Sequence, residues 1–259
     1  MNLCRPDHRA SCAACCGLYN VPNATRPYLL EKLRNRTLLF AAVPRTPDAL
    51  LDFQASVLRM EDEKPLDPVI HVCEFTGFVD PEEKIVGCLL HPSGSGNEGI
   101  DLRGLCHYGS MACKTFFCPS WEEVPRRYLE TAGQALDDWH LYGLVMTDTV
   151  FLRAVFGMLE HALGQLVNAS MFAREPAKGM LREILAWKDA WPPGRASLKR
   201  RNRYHITLRR SVDLPAPLEP GQVADVLDFT FDVKSDRQAA MDKISRHTSA
   251  LASVLDMSE

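Results

Sequence analysis

The chain has 259 residues, 46% apolar and 24% charged, which is an ordinary globular composition and excludes a disordered or low-complexity protein. With 30 Lys and Arg against 33 Asp and Glu, the formal net charge of −3 marks neither a nucleic-acid nor a membrane-surface binder. The longest apolar runs, such as residues 38–43, fall far short of the ~18 residues that a membrane span needs. The first ten residues include Cys4, Arg5, Pro6, Asp7, His8 and Arg9, with no apolar core of a signal peptide, so a reducing, cytoplasmic location is expected.

In chain order, the first predicted element follows Pro27, where Leu29, Leu30 and Leu33 share a helix face. Thr46-Pro47-Asp48 reads as a second helix start, with Pro in the first turn and Leu50, Phe53, Val57 and Leu58 as the buried side. Residues 93–99, Ser-Gly-Ser-Gly-Asn-Glu-Gly, read as a flexible loop. Ser120-Trp-Glu-Glu123 has capping-box form and opens a helix-rich second half. There Thr147-Asp148 caps a helix whose stripe is Phe151, Ala154, Val155, Met158, Leu159 and Ala162. Pro176 begins another helix, ended by Trp191-Pro-Pro-Gly194. Residues 203–212 alternate like a strand, and Met241, Ile244, Leu251 and Leu255 mark a last helix. The expected fold is mainly α with irregular cysteine-rich loops. A metal-organised N-terminal half (1–119) packs on a helical C-terminal half (120–259), as two regions or as one compact domain.

The chemistry lies in the cysteines. All nine fall between Cys4 and Cys118, which about one random placement in a thousand would produce. In a reducing compartment such a cluster binds metal more often than it forms disulfides, and an odd count fits a fully paired framework poorly. The candidate ligands are Cys4, Cys12, Cys15, Cys16, Cys73, Cys88, Cys106, Cys113 and Cys118. Cys12-x2-Cys15 sets two thiolates on one turn. Adjacent Cys15 and Cys16 have Cα atoms about 3.8 Å apart, too close for an ordinary disulfide, so they suit two irons of one cluster or two centres. His8, His71, His91 and His107 lie near cysteines and are substitute ligands, although each alone reads more simply as a satisfied histidine.

Cys12-Ala-Ala-Cys15-Cys16-Gly17, Cys73-Glu-Phe75, Gly87-Cys88-Leu-Leu-His91-Pro92 and Cys113-Lys-Thr-Phe-Phe117-Cys118-Pro119 together resemble the CxxCxxCC cysteine-cluster family. The resemblance covers roughly residues 4–120. It implies a zinc- or iron-chelating domain, and related cysteine patterns occur in flagellin lysine methylases. The chain departs from the family pattern in the wide Cys4-x7-Cys12 spacing and in residues 109–112 before Cys113.

A single C-x2-C unit, where structural zinc usually takes two, and the Cys118-Pro119 ending favour an iron–sulfur cluster over zinc. The stretch from Arg195 to Arg210 carries seven Lys and Arg, including Lys199, Arg200 and Arg201, and no acidic residue. It offers nucleic acid or an acidic partner a contact, but the near charge balance of the second half favours a solvated edge. The leading reading is a metal-binding protein. The alternatives are a metal-dependent modifying enzyme with the cluster at its active site, and an interaction module with structural zinc.

Overall fold

The computed structural model describes residues 3–7, 9–191, 218–231 and 234–256. The protein is mainly helical and divides into two units, one of residues 2–118 with 138–140, the other of 119–137 with 141–259. The strand expected over residues 203–212, the basic stretch and His8 lie outside the described residues.

In the first unit, α1 (Arg26–Ala41) and α2 (Pro47–Met60) each have Pro at the first turn, where its missing N–H costs nothing. Thr46 sits at the N-cap of α2, but its side chain makes no capping bond. The apolar side of α2 is Leu50, Phe53 and Val57; Leu58 is 53% exposed, one residue past the buried face. The inward face of α1 mixes Leu29, Leu33 and Phe40 with the cations Lys32 and Arg36, so the apolar period is weak there. Both cations are paired. Lys32 Nζ lies 2.8 Å from Glu61 Oε2, and Arg36 grips Glu61 through Nε (2.7 Å) and Nη2 (2.6 Å).

Two three-residue strands, β1 (Thr76–Phe78) and β2 (Val86–Cys88), form an antiparallel hairpin with Thr76 opposite Cys88. The hairpin rests on α1, whose Thr37 hydroxyl accepts from Phe78 N at 2.8 Å. Gly77 permits that approach, because a Cβ there would lie 2.7 Å from Thr37 Oγ1. The remainder is loop, fastened by side chains that bond to backbone. Asn20 donates to Asp67 O and Ile70 O and accepts from Asp67 N. Residues 93–99, expected to be flexible, are anchored by buried Asn97, which donates to Leu89 O and His91 O and accepts from Arg45. A short helix, α3 (Gly109–Thr115), precedes Cys118.

The second unit contains α4 (Ser120–Glu123), α5 (Arg126–Ala135), α6 (Trp139–Met146) from Leu141 onward, α7 (Thr149–Leu163), α8 (Ala177–Leu185), α9 (Pro220–Phe231) and α10 (Arg237–Asp256). Asp148 caps α7, accepting from Phe151 N at 2.9 Å. Ser120 makes no capping box: it is buried, and its hydroxyl donates to Met146 O at 2.6 Å, a tertiary bond that removes it from the helix end. The helix begun after Pro176 ends at Leu185 and passes through a 3-10 turn (Ala186–Lys188), earlier than the Pro-Pro signal.

Helix α7 supplies the core through Phe151, Leu152, Val155, Phe156, Met158 and Leu159, with Tyr128 of α5 stacked on Phe156 at 4.9 Å. Helix α10 turns Ala240, Ile244, Leu251 and Leu255 inward and packs on α7, α8 and α9. Among the described residues no single helix is long and apolar enough to cross a membrane. Helices α6 and α7 reach that length only as a pair bent by 87°.

Candidate metal centre

The cysteines of the first unit are positioned by turns, not by long elements. Cys15 and Cys16 sit in a 3-10 turn (Ala14–Cys16) closed by Gly17 at φ 76°. A side chain at Gly17 would place its Cβ 2.3 Å from His71 O, so the chain segment carrying Cys73 can lie directly on this turn. There Cys73 N donates to Cys16 O at 2.9 Å. The hairpin then returns Cys88 opposite Thr76. Cys106 follows a 3-10 turn (Arg103–Leu105), and α3 carries Cys113 back until the two Sγ atoms are 3.3 Å apart.

Cys16, Cys73, Cys88, Cys106 and Cys113 thereby gather on one apolar cluster with Phe40, Leu50, Phe53, Val57 and Phe75. Four separate stretches of chain supply them. A second set lies around Cys12: its backbone N–H donates to Cys4 O at 2.8 Å, and the charges of Cys4, Cys118 and Cys16 all act on its thiol. Cys4 is exposed and Cys118 half-buried, and all nine cysteines are free thiols.

The electrostatics follow from this crowding. Cys16 is held well above the ordinary thiol value, first by the hydrogen bond from Cys15, then by burial and the Cys15 charge. Burial pushes Cys73 up, and the nearby charges of Cys16, Cys88 and Cys106 add to it. Cys88 is pushed up to about 12, chiefly by burial and then by Cys16. Cys113 also reaches about 12, through burial and the hydrogen bond with Cys106. Burial raises Cys12 and Cys4 as well. A low-dielectric cluster of this kind disfavours several thiolates at once unless a cation neutralises them, and metal binding would release their protons.

Among the described residues no three His, Cys, Asp or Glu side chains are placed to hold one metal ion. The cysteines form two close pairs, the chain neighbours Cys15 and Cys16 and the sulfur contact of Cys106 with Cys113. The 3.3 Å separation of the second pair is within about half an ångström of the ~3.8 Å between two thiolates on one tetrahedral ion with Zn–S of ~2.3 Å. The described candidate histidines, His71, His91 and His107, have other contacts. His71 stacks on His107 at 4.0 Å and meets Glu74 Oε2 at 3.2 Å, and His91 Nδ1 accepts from Ser93 N.

Several supporting residues carry no sequence signal. Arg36 Nη1 donates to Cys73 O at 2.9 Å, fixing the segment from α1. Tyr108 OH accepts from His71 N at 2.9 Å. Asp101, held well below the carboxylate range by Arg103 and then Lys114, ties the turn before Cys106 to α3. No family model, curated protein or solved structure matches this chain.

Proposed function

We propose that the protein binds metal, holding an iron–sulfur cluster, or zinc in its place, through cysteines of the first unit. One observation carries this reading: Cys73, Cys88, Cys106 and Cys113, from three further chain segments, gather with Cys16 as free thiols on a shared core. Nothing about ordinary packing requires five thiols together, and each raises its neighbours' cost of ionisation. A soft cation removes that cost, and thiolate donors suit iron–sulfur clusters and zinc. Turning a thiol to another χ1 well moves its Sγ by about 3 Å, so the paired sulfurs reach a common centre without backbone movement. Cys12, Cys4 and Cys118 are the further donors. In this reading the metal organises the first unit, whose loops contain little regular structure, and a reducing compartment such as the cytoplasm keeps the thiols available.

The test is anaerobic purification of the full chain from cells supplied with iron and zinc, followed by metal and sulfide analysis. The expected result is stoichiometric iron and sulfide with a broad visible charge-transfer band, or stoichiometric zinc without one. Cys16→Ser should lose most of the metal. A folded protein that carries neither metal overturns the reading.

A further inference from the structure

Away from the cysteine pairs, the first unit contains a cavity of about 220 Å³ between α1, α2 and the segment before Cys73. That is smaller than the ~300–1,000 Å³ of sites for drug-sized molecules, so its occupant is small. Its walls are partly apolar, from Val57, Leu58 and Ile70, and partly the stacked imidazoles of His71 and His107. Its charges are unusual. Lys32 (6% exposed) and Arg36 (1%) line it, together with Glu61, Glu63 and Glu74.

The two cations are spent on Glu61, which Lys32 and Arg36 both contact within 2.8 Å. Arg36 additionally donates to Cys73 O. Glu63 Oε2 receives only a distant approach from Lys32, 3.6 Å, and no hydrogen bond. Glu74 is 1% exposed. Its Oε2 accepts from Gln54 Nε2 at 3.1 Å and faces His71 Nε2 at 3.2 Å, while Oε1 is buried without a hydrogen-bond partner. The cavity lining thus carries three carboxylates against two Lys and Arg cations, and Glu74 is met by neither cation.

A buried carboxylate oxygen lacking a donor is costly, and so is a buried carboxylate such as Glu74 that neither Lys32 nor Arg36 contacts. Both deficits are met by one monovalent cation that brings its own N–H donors. A bare metal ion fits less well, because no three ligating side chains converge there among the described residues. An anion would meet cations already saturated by Glu61. We propose that this cavity binds a small organic monocation, a primary ammonium on a short apolar stem, with the ammonium on Glu74 and the stem against Val57, Leu58 and the imidazole stack. This site is separate from the cysteine centre and does not depend on the metal reading.

The experiment titrates the full chain with n-butylammonium chloride at constant ionic strength, with n-butanol and sodium butyrate as neutral and anionic counterparts. Binding is followed by calorimetry and by the ring resonances of His71 and His107. Saturable binding of the ammonium alone, shifting both rings, is expected. Glu74→Gln keeps the shape and removes the charge, and should weaken binding about ten- to a hundred-fold. Leu58→Trp, at a position 53% exposed on the cavity rim, should block entry without touching a buried charge, so the inference stays testable if Glu74→Gln does not fold. No saturable ammonium binding, equal binding of n-butanol, or unchanged binding in both variants overturns the proposal.

Discussion

The two units solve the problem of a stable interior by different means. The second buries apolar faces of helices against one another, with α7 and its Phe151, Val155, Phe156 and Leu159 as the common surface. Its buried charges are few and local in purpose, as where Lys188 Nζ meets the capping carboxylate of Asp148 at 2.6 Å. The first unit has two long helices, one short helix and a hairpin of six residues, and much of its interior is polar. Arg36, Lys32, Asn20, Asn97 and Glu74 are all buried there, and each bonds to a loop backbone or to a polar side chain such as Glu61 or Gln54. Non-directional packing tolerates substitution of similar volume, whereas a network of directed bonds fails when one member is lost. The first unit therefore has more to gain from a cross-linking ion.

The largest expected effect tests that contrast directly. Structural zinc in small domains contributes apparent binding energies of about 10–16 kcal/mol, comparable to a domain's whole stability. Stripping metal with a chelator under reducing conditions should unfold the first unit and leave the helices of the second. Hydrogen exchange followed by fragment analysis separates the two. Equal protection of both units with and without chelator would remove the distinction.

Next come truncations within each interior. Phe156→Ala should cost about 3–5 kcal/mol through the cavity it leaves under Tyr128. Arg36→Met should cost less, about 1.5–3 kcal/mol, because Glu61 keeps Lys32 as its partner, but it should also lower metal content, because Cys73 O loses its donor. Denaturant unfolding and metal analysis on both variants tell a packing loss from a network loss.

Gly17→Ala should cost about 2 kcal/mol or more, since Ala resists φ 76° and its Cβ would meet His71 O. The expected sign is a drop in metal content larger than the drop in melting temperature. A smaller effect belongs to Glu160 of the second unit. Burial raises its carboxyl, but hydrogen bonds from Arg127, Tyr128 and Val167 N outweigh this and hold it below the ordinary value. A depressed folded pKa stabilises above the unfolded value, near ~4.3, and the benefit disappears as pH falls through the folded one. Wild type should thus exceed Glu160→Gln by about 1 kcal/mol at neutral pH and converge with it in acid. The smallest effect, about 0.3–0.5 kcal/mol, is expected for Arg126→Ala, which loses an exposed pair with Glu130 one turn away.

By itself the sequence determined the features that repeat over a few residues. The α7 stripe from Phe151 to Leu159 and the inward Ile244, Leu251 and Leu255 of α10 follow from spacings of three and four, although Ala162 at the end of the expected stripe is exposed and Ala240 faces inward in place of Met241. The Asp148 cap follows from a side chain three residues from its donor. It also showed that the thiols are confined to the first 118 residues, since that needs only counting. The tertiary structure decided what depends on partners far along the chain. Ser120 reads locally as a helix cap, yet its hydroxyl goes to Met146 O, 26 residues on. Lys32 and Arg36 are buried on α1 because Glu61, from beyond α2, comes to meet them. The strands β1 and β2 are too short to show an alternating pattern, and all of β1 is buried. Which thiols become neighbours was likewise outside the reach of spacing. Cys73 joins Cys16 through a backbone bond permitted by a glycine, and Cys88 joins them through hairpin register. Local periodicity is written in residues that share a helix turn or a strand face, while the meeting of distant segments depends on which directed bonds and apolar surfaces the whole chain can satisfy at once.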